Sequence, residues 1–370
     1  MVYLIALIFA ILGAVINSRI SPTMRKSIFV TLGVYMILII GFRYKVGVDT
    51  LNYMREYRFI PTIDQLFSGD YTVKTRYEPG YLLICILCKS ISSQFWPVQI
   101  VISLLTTSGI FIFIYRNCKN IFLGVMFFII LQWLYFTTEI LREGVAVSIF
   151  LVNYKNLEGK KWGKYVLGCI GSMMFHYSAI ITFFFPFVKL LDKKILFYIL
   201  CICFLGITPL VEKLNDILNI ASISGRISWY ISGAQNLNLN WRLGELIRSA
   251  FPAITVLVIY TLYHESPKFK SVLLLQILLC AGAFAIPIIF SRFTNYTTLF
   301  VAIASANLIS KDHVQIWMKA LFISVIILSQ SYYIYSMAPH WLPYSSIFYP
   351  ENYPERRQIY RHAFMPWLKF

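Results

Sequence analysis

Long apolar runs alternate with short polar interruptions from the N-terminus almost to the end of the chain. Read as helices, they place candidate membrane spans at 2–17, 27–42, 95–115, 121–137, 140–154, 165–176, 178–190, 195–211, 247–263, 271–290, 294–310 and 314–335. The longer runs suffice to cross a hydrocarbon core of roughly 30 Å, and none has the ten-residue alternation of a membrane β-strand. The expected fold is all-α: a polytopic transmembrane helical bundle of about 12 spans, within a range of about 10–14. The stretch 79–91, "PGYLLICILCKSI", is short and carries Lys89, so it reads as a crossing or as an interfacial or re-entrant helix.

Two polar regions stand apart from the runs. One is an amphipathic outer segment at 43–78, and the other a larger outer-face loop region around 212–246. With no internal repeat and no low-complexity segment, residues 1–370 are expected to form one integral membrane domain. The first run has no basic region before it and no small-residue cleavage site after it, which marks a retained span.

Composition strengthens the membrane class. Hydrophobic residues make up 58% of the 370 positions and charged residues only 13%, with a mean hydropathy of +0.68; an ordinary soluble domain carries about twice that charge fraction. The net charge of +17 would suggest nucleic acid in a soluble protein. Here the basic residues lie between spans, where they report topology and contact with phosphate-bearing lipids. No basic run interleaved with aromatics occupies a soluble region, so nucleic acid is not an expected partner.

Short lysine-bearing linkers, "YKNLEGKKWGKY", "LDKK" and "HESPKFK", set one face toward the cytoplasm. Total basic residues then split almost evenly between the two faces, but the types do not. Lysine dominates the inner face and arginine the outer. Arginine's planar fork suits phosphate or carboxylate, so the outer face looks like a surface for an anionic ligand.

Six of the seven cysteines lie inside apolar runs, Cys118 being the exception. Cys85-x-x-Cys88 has metal-like spacing without a nearby histidine or polar loop and reads as a pair of small core residues. No HExxH, P-loop or nucleotide-binding glycine fingerprint is present, so neither a cofactor nor a metal is expected.

The candidate chemistry lies at span ends on the arginine-rich face. "GFRYKVGVDTLNY" supplies Arg43, Asp49 and Tyr53, with Gly47 allowing a tight turn. "TRYEPGY" places Arg76 and Glu78 before Pro79, a helix-start position where a carboxylate also suits the dipole. "TTEILREGVAVSIFL" puts Glu139, Arg142 and Glu143 in apolar surroundings, where a charge costs roughly 2.5–3.5 kcal/mol and normally faces a cavity or a partner. The i, i+3 spacing lets Glu139 pair with Arg142 on one helix face.

"MMFHYSAI" sets His176 between two short spans, and "IIFSRFTNY" sets Arg292 at a span junction. Arg226, Arg242 and Arg248 belong to the region that includes "ISGAQNLNLNWRLGE", a composition suited to a hydrogen-bonding lid or to any exposed loop.

Five of these pieces, "FRYKVGVDTLNY", "YEPGYLLI", "LREGVAVSIFL", "FHYSAIITFFFPF" and "SRFTNY", resemble the EpsG family of bacterial exopolysaccharide and O-antigen polymerases, the Wzy type. Many relatives carry Gln where this chain has Glu143. The resemblance implies a metal-independent glycosyltransferase at the outer face of the bacterial cytoplasmic (inner) membrane. Its donor and acceptor would be undecaprenyl-pyrophosphate-linked glycans, with membrane lipid and a chain-length regulator as further candidate partners. Arg142, Arg292 and Arg43 would then clamp the pyrophosphate. His176, Asp49 and Glu143 are the candidate bases, His176 first for its near-neutral intrinsic pKa. The rival readings are a flippase for the same lipid-linked glycans and a membrane acyltransferase that modifies surface glycans.

Overall fold

A computed structural model describes residues 2–68, 77–206 and 239–364. Every regular element among the described residues is helical. In chain order these are α1 (Val2–Ile16), α2 (Pro22–Gly41), α3 (Val48–Tyr57), α4 (Ile63–Phe67), α5 (Pro79–Ile91), α6 (Trp96–Asn117) and α7 (Ile121–Leu131). A π-helical turn (Tyr135–Glu139), α8 (Leu141–Glu158), α9 (Trp162–Met173), a 3₁₀ run (Tyr177–Asp192) and α10 (Lys194–Gly206) follow. The C-terminal part holds α11 (Leu239–Leu262), α12 (Lys270–Ala285), α13 (Pro287–Ile309), α14 (Ile316–Trp341) and α15 (Arg357–Phe364).

Local chemistry explains many of the starts. Ser21 caps α2, its hydroxyl accepting Met24 N–H at 3.3 Å ahead of Pro22. Asn120 caps α7 by accepting the N–H groups of Phe122 and Leu123 at 3.2 and 3.3 Å. Proline at the first turn opens α5, α6 and α13.

The helices α2, α6 and α14 are long and apolar enough to cross a membrane. Shorter apolar helices include α1, α5 and α7. The chain divides into two compact units, residues 1–180 with 335–370, and residues 181–334. In the first, α6 is central: 61% of its apolar window is buried, against 33% for α2. It packs on α2, α5, α7 and α8, while α8 continues to α9 and α1 lies on α7. Leu4, Ile8, Leu12 and Val15 of α1 stay exposed, as a lipid-facing stripe would. Cys85 and Cys88 are buried in the apolar core formed by α5, α6 and α8.

In the second unit α12 packs against α10, α11 and α13. Its buried Gln276 donates to Ser249 O at 3.0 Å and accepts from Thr297 Oγ1, so an amide enclosed among apolar helices is satisfied at both ends.

Three expected boundaries are corrected. The run expected as an α-helical span at 178–190 is 3₁₀; Pro186 inside it lacks an N–H and obstructs an α-helical turn. Arg292 does not sit at a junction. The break falls at Ile286, and Pro287 starts α13 so that Arg292 lies in its second turn. Residues 239–246, expected as loop, form the first turns of α11.

Candidate functional site

The stretch after α2 is a turn held from several directions. Gln99 of α6, 2% exposed, donates to Gly41 O at 3.3 Å and Arg43 O at 2.8 Å. Residues near the C-terminus strap it from the other side: Tyr44 N donates to Ser345 O (2.8 Å), Gly47 N to His340 O (3.0 Å) and Ile347 N to Phe42 O (2.9 Å). Arg356, 1% exposed, ties the strap down by donating to Lys45 O (2.9 Å), Pro339 O (3.4 Å) and His340 O.

Arg43 belongs to this scaffold. It is 1% exposed and gives Nη1 to Ile40 O (2.6 Å), Nε to Val46 O (3.3 Å) and Nη2 to Thr50 Oγ1 (2.9 Å). Burial lowers its pKa to about 10, which still leaves it cationic at neutral pH. The expectation that it clamps a phosphate meets a guanidinium enclosed by its own loop.

Gly47 has φ +94, and a Cβ there would stand 2.6 Å from Thr138 O. Both the conformation and the contact require glycine. That contact brings the loop to the π-helical turn. Widening the helix frees carbonyls, and threonine hydroxyls take them: Thr137 Oγ1 donates to Trp133 O at 2.6 Å and Thr138 Oγ1 to Leu134 O at 2.7 Å. Glu139 ends the turn, 5% exposed. Its Oε2 accepts Asp49 N–H and its Oε1 accepts Trp341 Nε1–H, both at 3.0 Å.

The expected Glu139–Arg142 pair is therefore corrected. The helix breaks at Ile140 between them, so the i, i+3 face is not continuous. Arg142 pairs instead with Glu78, through Nη1. Glu78 occupies the N-cap position of α5, yet its side chain makes no capping bond there; its carboxylate serves the arginine. Three tyrosines surround the guanidinium, with ring centroids 5.7 Å (Tyr53), 4.9 Å (Tyr77) and 6.0 Å (Tyr81) from its central carbon. Tyr53 OH also accepts from Nε at 3.4 Å.

Side-chain exposure is 16% for Arg142 and 4% for Glu78. Among the described residues no acceptor engages Nη2, and that nitrogen is not sealed from solvent. A rigidly held guanidinium thus presents two uncommitted N–H donors.

The neighbouring turn carries His176. Gly80 N donates to Met174 O at 2.8 Å, and a Cβ on Gly80 would stand 2.8 Å from that oxygen, so α5 begins tightly against residues 174–175. His176 is half-buried, with Nδ1 2.6 Å from Ser178 Oγ and accepting Ser178 N–H at 3.2 Å. A backbone N–H only donates, so Nδ1 carries the lone pair and the neutral ring holds its proton on Nε2. In this arrangement Nε2 is the donor nitrogen of the ring.

Asp49, in the first turn of α3, is exposed, and Glu143, in the first turn of α8, is 1% exposed. The structure thus brings together four distant segments carrying Asp49 and Tyr53, Glu78, Glu139 to Glu143, and His176. Arg292 is half-buried on α13 in the second unit. Arg76 and Arg226 lie outside the described residues, and Arg242 is within α11 with its side chain not described. No group of three or more His, Cys, Asp or Glu with metal-holding geometry occurs among the described residues.

A family model described as the EpsG family matches residues 26–346, which takes in every one of these segments. The chain belongs to the EpsG family. No curated protein and no solved structure matches the chain. Membership brings a polysaccharide polymerase-type role, lipid-linked saccharide substrates and a membrane setting. Sequence reasoning about this EpsG-family chain missed Tyr77, Tyr81, Trp341 and Arg356. The two tyrosines flank Glu78 and Pro79 in "YEPGY", where their spacing around a helix start was a usable signal. Trp341 and Arg356 had none, since their partners are distant in sequence.

Proposed function

We propose that this EpsG-family protein polymerises oligosaccharide repeat units carried on undecaprenyl pyrophosphate, at the outer face of the bacterial cytoplasmic membrane, as part of a bundle of about a dozen crossings. The observation that carries the reading is Arg142, pinned by Glu78 and Tyr53 through Nη1 and Nε with its side chain 16% exposed. In the reaction the bond between the donor sugar's anomeric carbon and the pyrophosphate oxygen breaks. A bond from an acceptor hydroxyl oxygen to that carbon forms. The hydroxyl proton goes to a base, and the lipid pyrophosphate leaves with the bonding pair.

Arg142 Nη2 is suited to the charge that develops on the leaving pyrophosphate, because a preorganised donor in a poorly hydrated site needs no reorganisation as the bond breaks. Asp49 is the exposed carboxylate of the cluster and now stands ahead of His176 and Glu143 as base. His176, with its proton on Nε2, suits a hydrogen bond to a sugar or leaving-group oxygen. Arg292, Arg242, Arg226 and Arg76 remain proposed contacts to the glycan or its phosphates.

The test uses a strain lacking the protein, complemented with wild type or Arg142→Lys, and surface glycan resolved by gel. Loss of the long-chain ladder with a single repeat unit still reaching the surface supports a polymerase that depends on Arg142. Loss of even the single unit favours a flippase, and a full ladder with altered decoration favours an acyltransferase.

A further inference from the structure

The start of α3 has an unmet need. Gly47 occupies its N-cap, and with no side chain it makes no capping bond. Helix starts leave their first N–H groups without internal partners, and an N-cap side chain normally accepts from the second or third of them. No other residue type fits at position 47: φ is +94 and Thr138 O closes off the Cβ.

Glu139 supplies what Gly47 lacks. Its Oε2 accepts the N–H of Asp49, the second residue of α3, from 90 positions along the chain. A carboxylate at this end of a helix also meets the positive end of the helix dipole. The other oxygen, Oε1, is anchored by Trp341 Nε1, where α14 ends. Trp341 is 4% exposed, and Gly47 N–H donates to the carbonyl of the residue before it, His340. One carboxylate therefore joins the π-helical turn, the start of α3 and the C-terminal strap.

The consequence reaches the site one helical turn on. Asp49 and Tyr53 lie four residues apart on α3, and Tyr53 OH accepts from Arg142 Nε. We infer that Glu139 caps α3 from a distance, with Trp341 holding the cap in place, and so acts as a positioning residue that fixes the helix carrying Asp49 and sets Tyr53 against Arg142. This inference rests on the proposed function for its catalytic reading, but the capping itself does not.

The test compares full-length wild type, Glu139→Gln, Trp341→Phe and Arg142→Lys in lipid nanodiscs and in the complemented strain. Glu139→Gln keeps the shape and one acceptor while turning an amide N–H₂ toward a donor. Trp341→Phe keeps an aromatic ring in place while removing the anchoring donor and part of the indole's packing. Backbone amide exchange in residues 48–57 is expected to quicken roughly fivefold or more in Glu139→Gln, the factor a lost cap typically makes. Trp341→Phe should show a smaller rise, and α12 and α13 no change. Polymer made per copy of protein should fall in both variants. Arg142→Lys should lose polymer with residues 48–57 as protected as in wild type.

Unchanged exchange in Glu139→Gln would overturn the capping. Faster exchange with polymer per copy undiminished would overturn the positioning role. Quickened exchange in a strain whose polymer is insensitive to Arg142 would leave the capping standing and remove the function it was thought to serve.

Discussion

Arg142→Lys separates the chemistry from the scaffold better than any other single change. In the proposed reaction the arginine has two tasks on different nitrogens: Nη1 and Nε hold Glu78 and Tyr53, and Nη2 is left for the substrate. Lysine keeps the charge but gathers its donors on one atom. Satisfying Glu78, which is 4% exposed at the side chain, draws that atom away from the position of Nη2. Removing one preorganised donor from a developing anion costs about 10²–10³ in rate, ~2.7–4 kcal/mol. The carboxylate keeps a cationic partner, so the penalty of about 3–5 kcal/mol for stranding a buried charge is avoided. Alanine would incur that penalty and confuse lost activity with lost protein.

The assay is the rate of ladder extension after pulse labelling of repeat units, normalised to membrane abundance by immunoblot. Extension should fall by about two orders of magnitude with abundance within about twofold of wild type. Wild-type extension at equal abundance would refute the clamp. Equal collapse of extension and abundance would make Arg142 a structural pair.

Three further outcomes follow from the geometry. Arg43→Ala should lower membrane abundance sharply, because Ile40 O, Val46 O and Thr50 lose buried donors worth about 1–3 kcal/mol each; normal abundance with no polymer would return Arg43 to the chemistry. Gly47→Ala should lower the thermal midpoint of the purified protein, since the backbone conformation alone costs about 1–2 kcal/mol before the contact with Thr138 O is counted. An unchanged midpoint would disprove that constraint.

Glu139 lies in the turn between helices, and burial lifts its pKa from 4.5 to about 7. The folded protein therefore holds a proton that the unfolded chain releases between those values. The resulting stabilisation is complete below about 4.5, is lost as pH rises through about 7, and amounts to something on the order of 3 kcal/mol. Thermal midpoints measured from pH 5 to pH 8 should fall in wild type and stay flatter in Glu139→Gln. Parallel profiles would rule this out.

What could be read from the chain alone follows from the solvent. A hydrocarbon core demands continuous apolar helices, so the all-helical class and most helix positions are written in local hydrophobicity. The spacing that located Glu139, Arg142, Asp49 and Tyr53 is equally local, because charges in apolar runs stand out wherever they occur. Pro186 and Pro287 were also visible, and their effects on the 3₁₀ run and on the start of α13 were the part left unread.

Pairing belongs to the tertiary structure. Helical spacing suggested that Glu139 would meet Arg142, but a π-helical turn ending at Glu139 and a break at Ile140 turned the two apart. Arg142 found Glu78 across 64 positions, and Glu139 found Asp49 across 90 and Trp341 across 202. Periodicity reports which residues share a face of one helix and carries no information about which other helix that face meets. Gly47 shows the division most clearly. Its residue type can be read as a turn, but the need for a distant carboxylate to cap α3 appears only once Thr138 O is seen where a side chain would have to go.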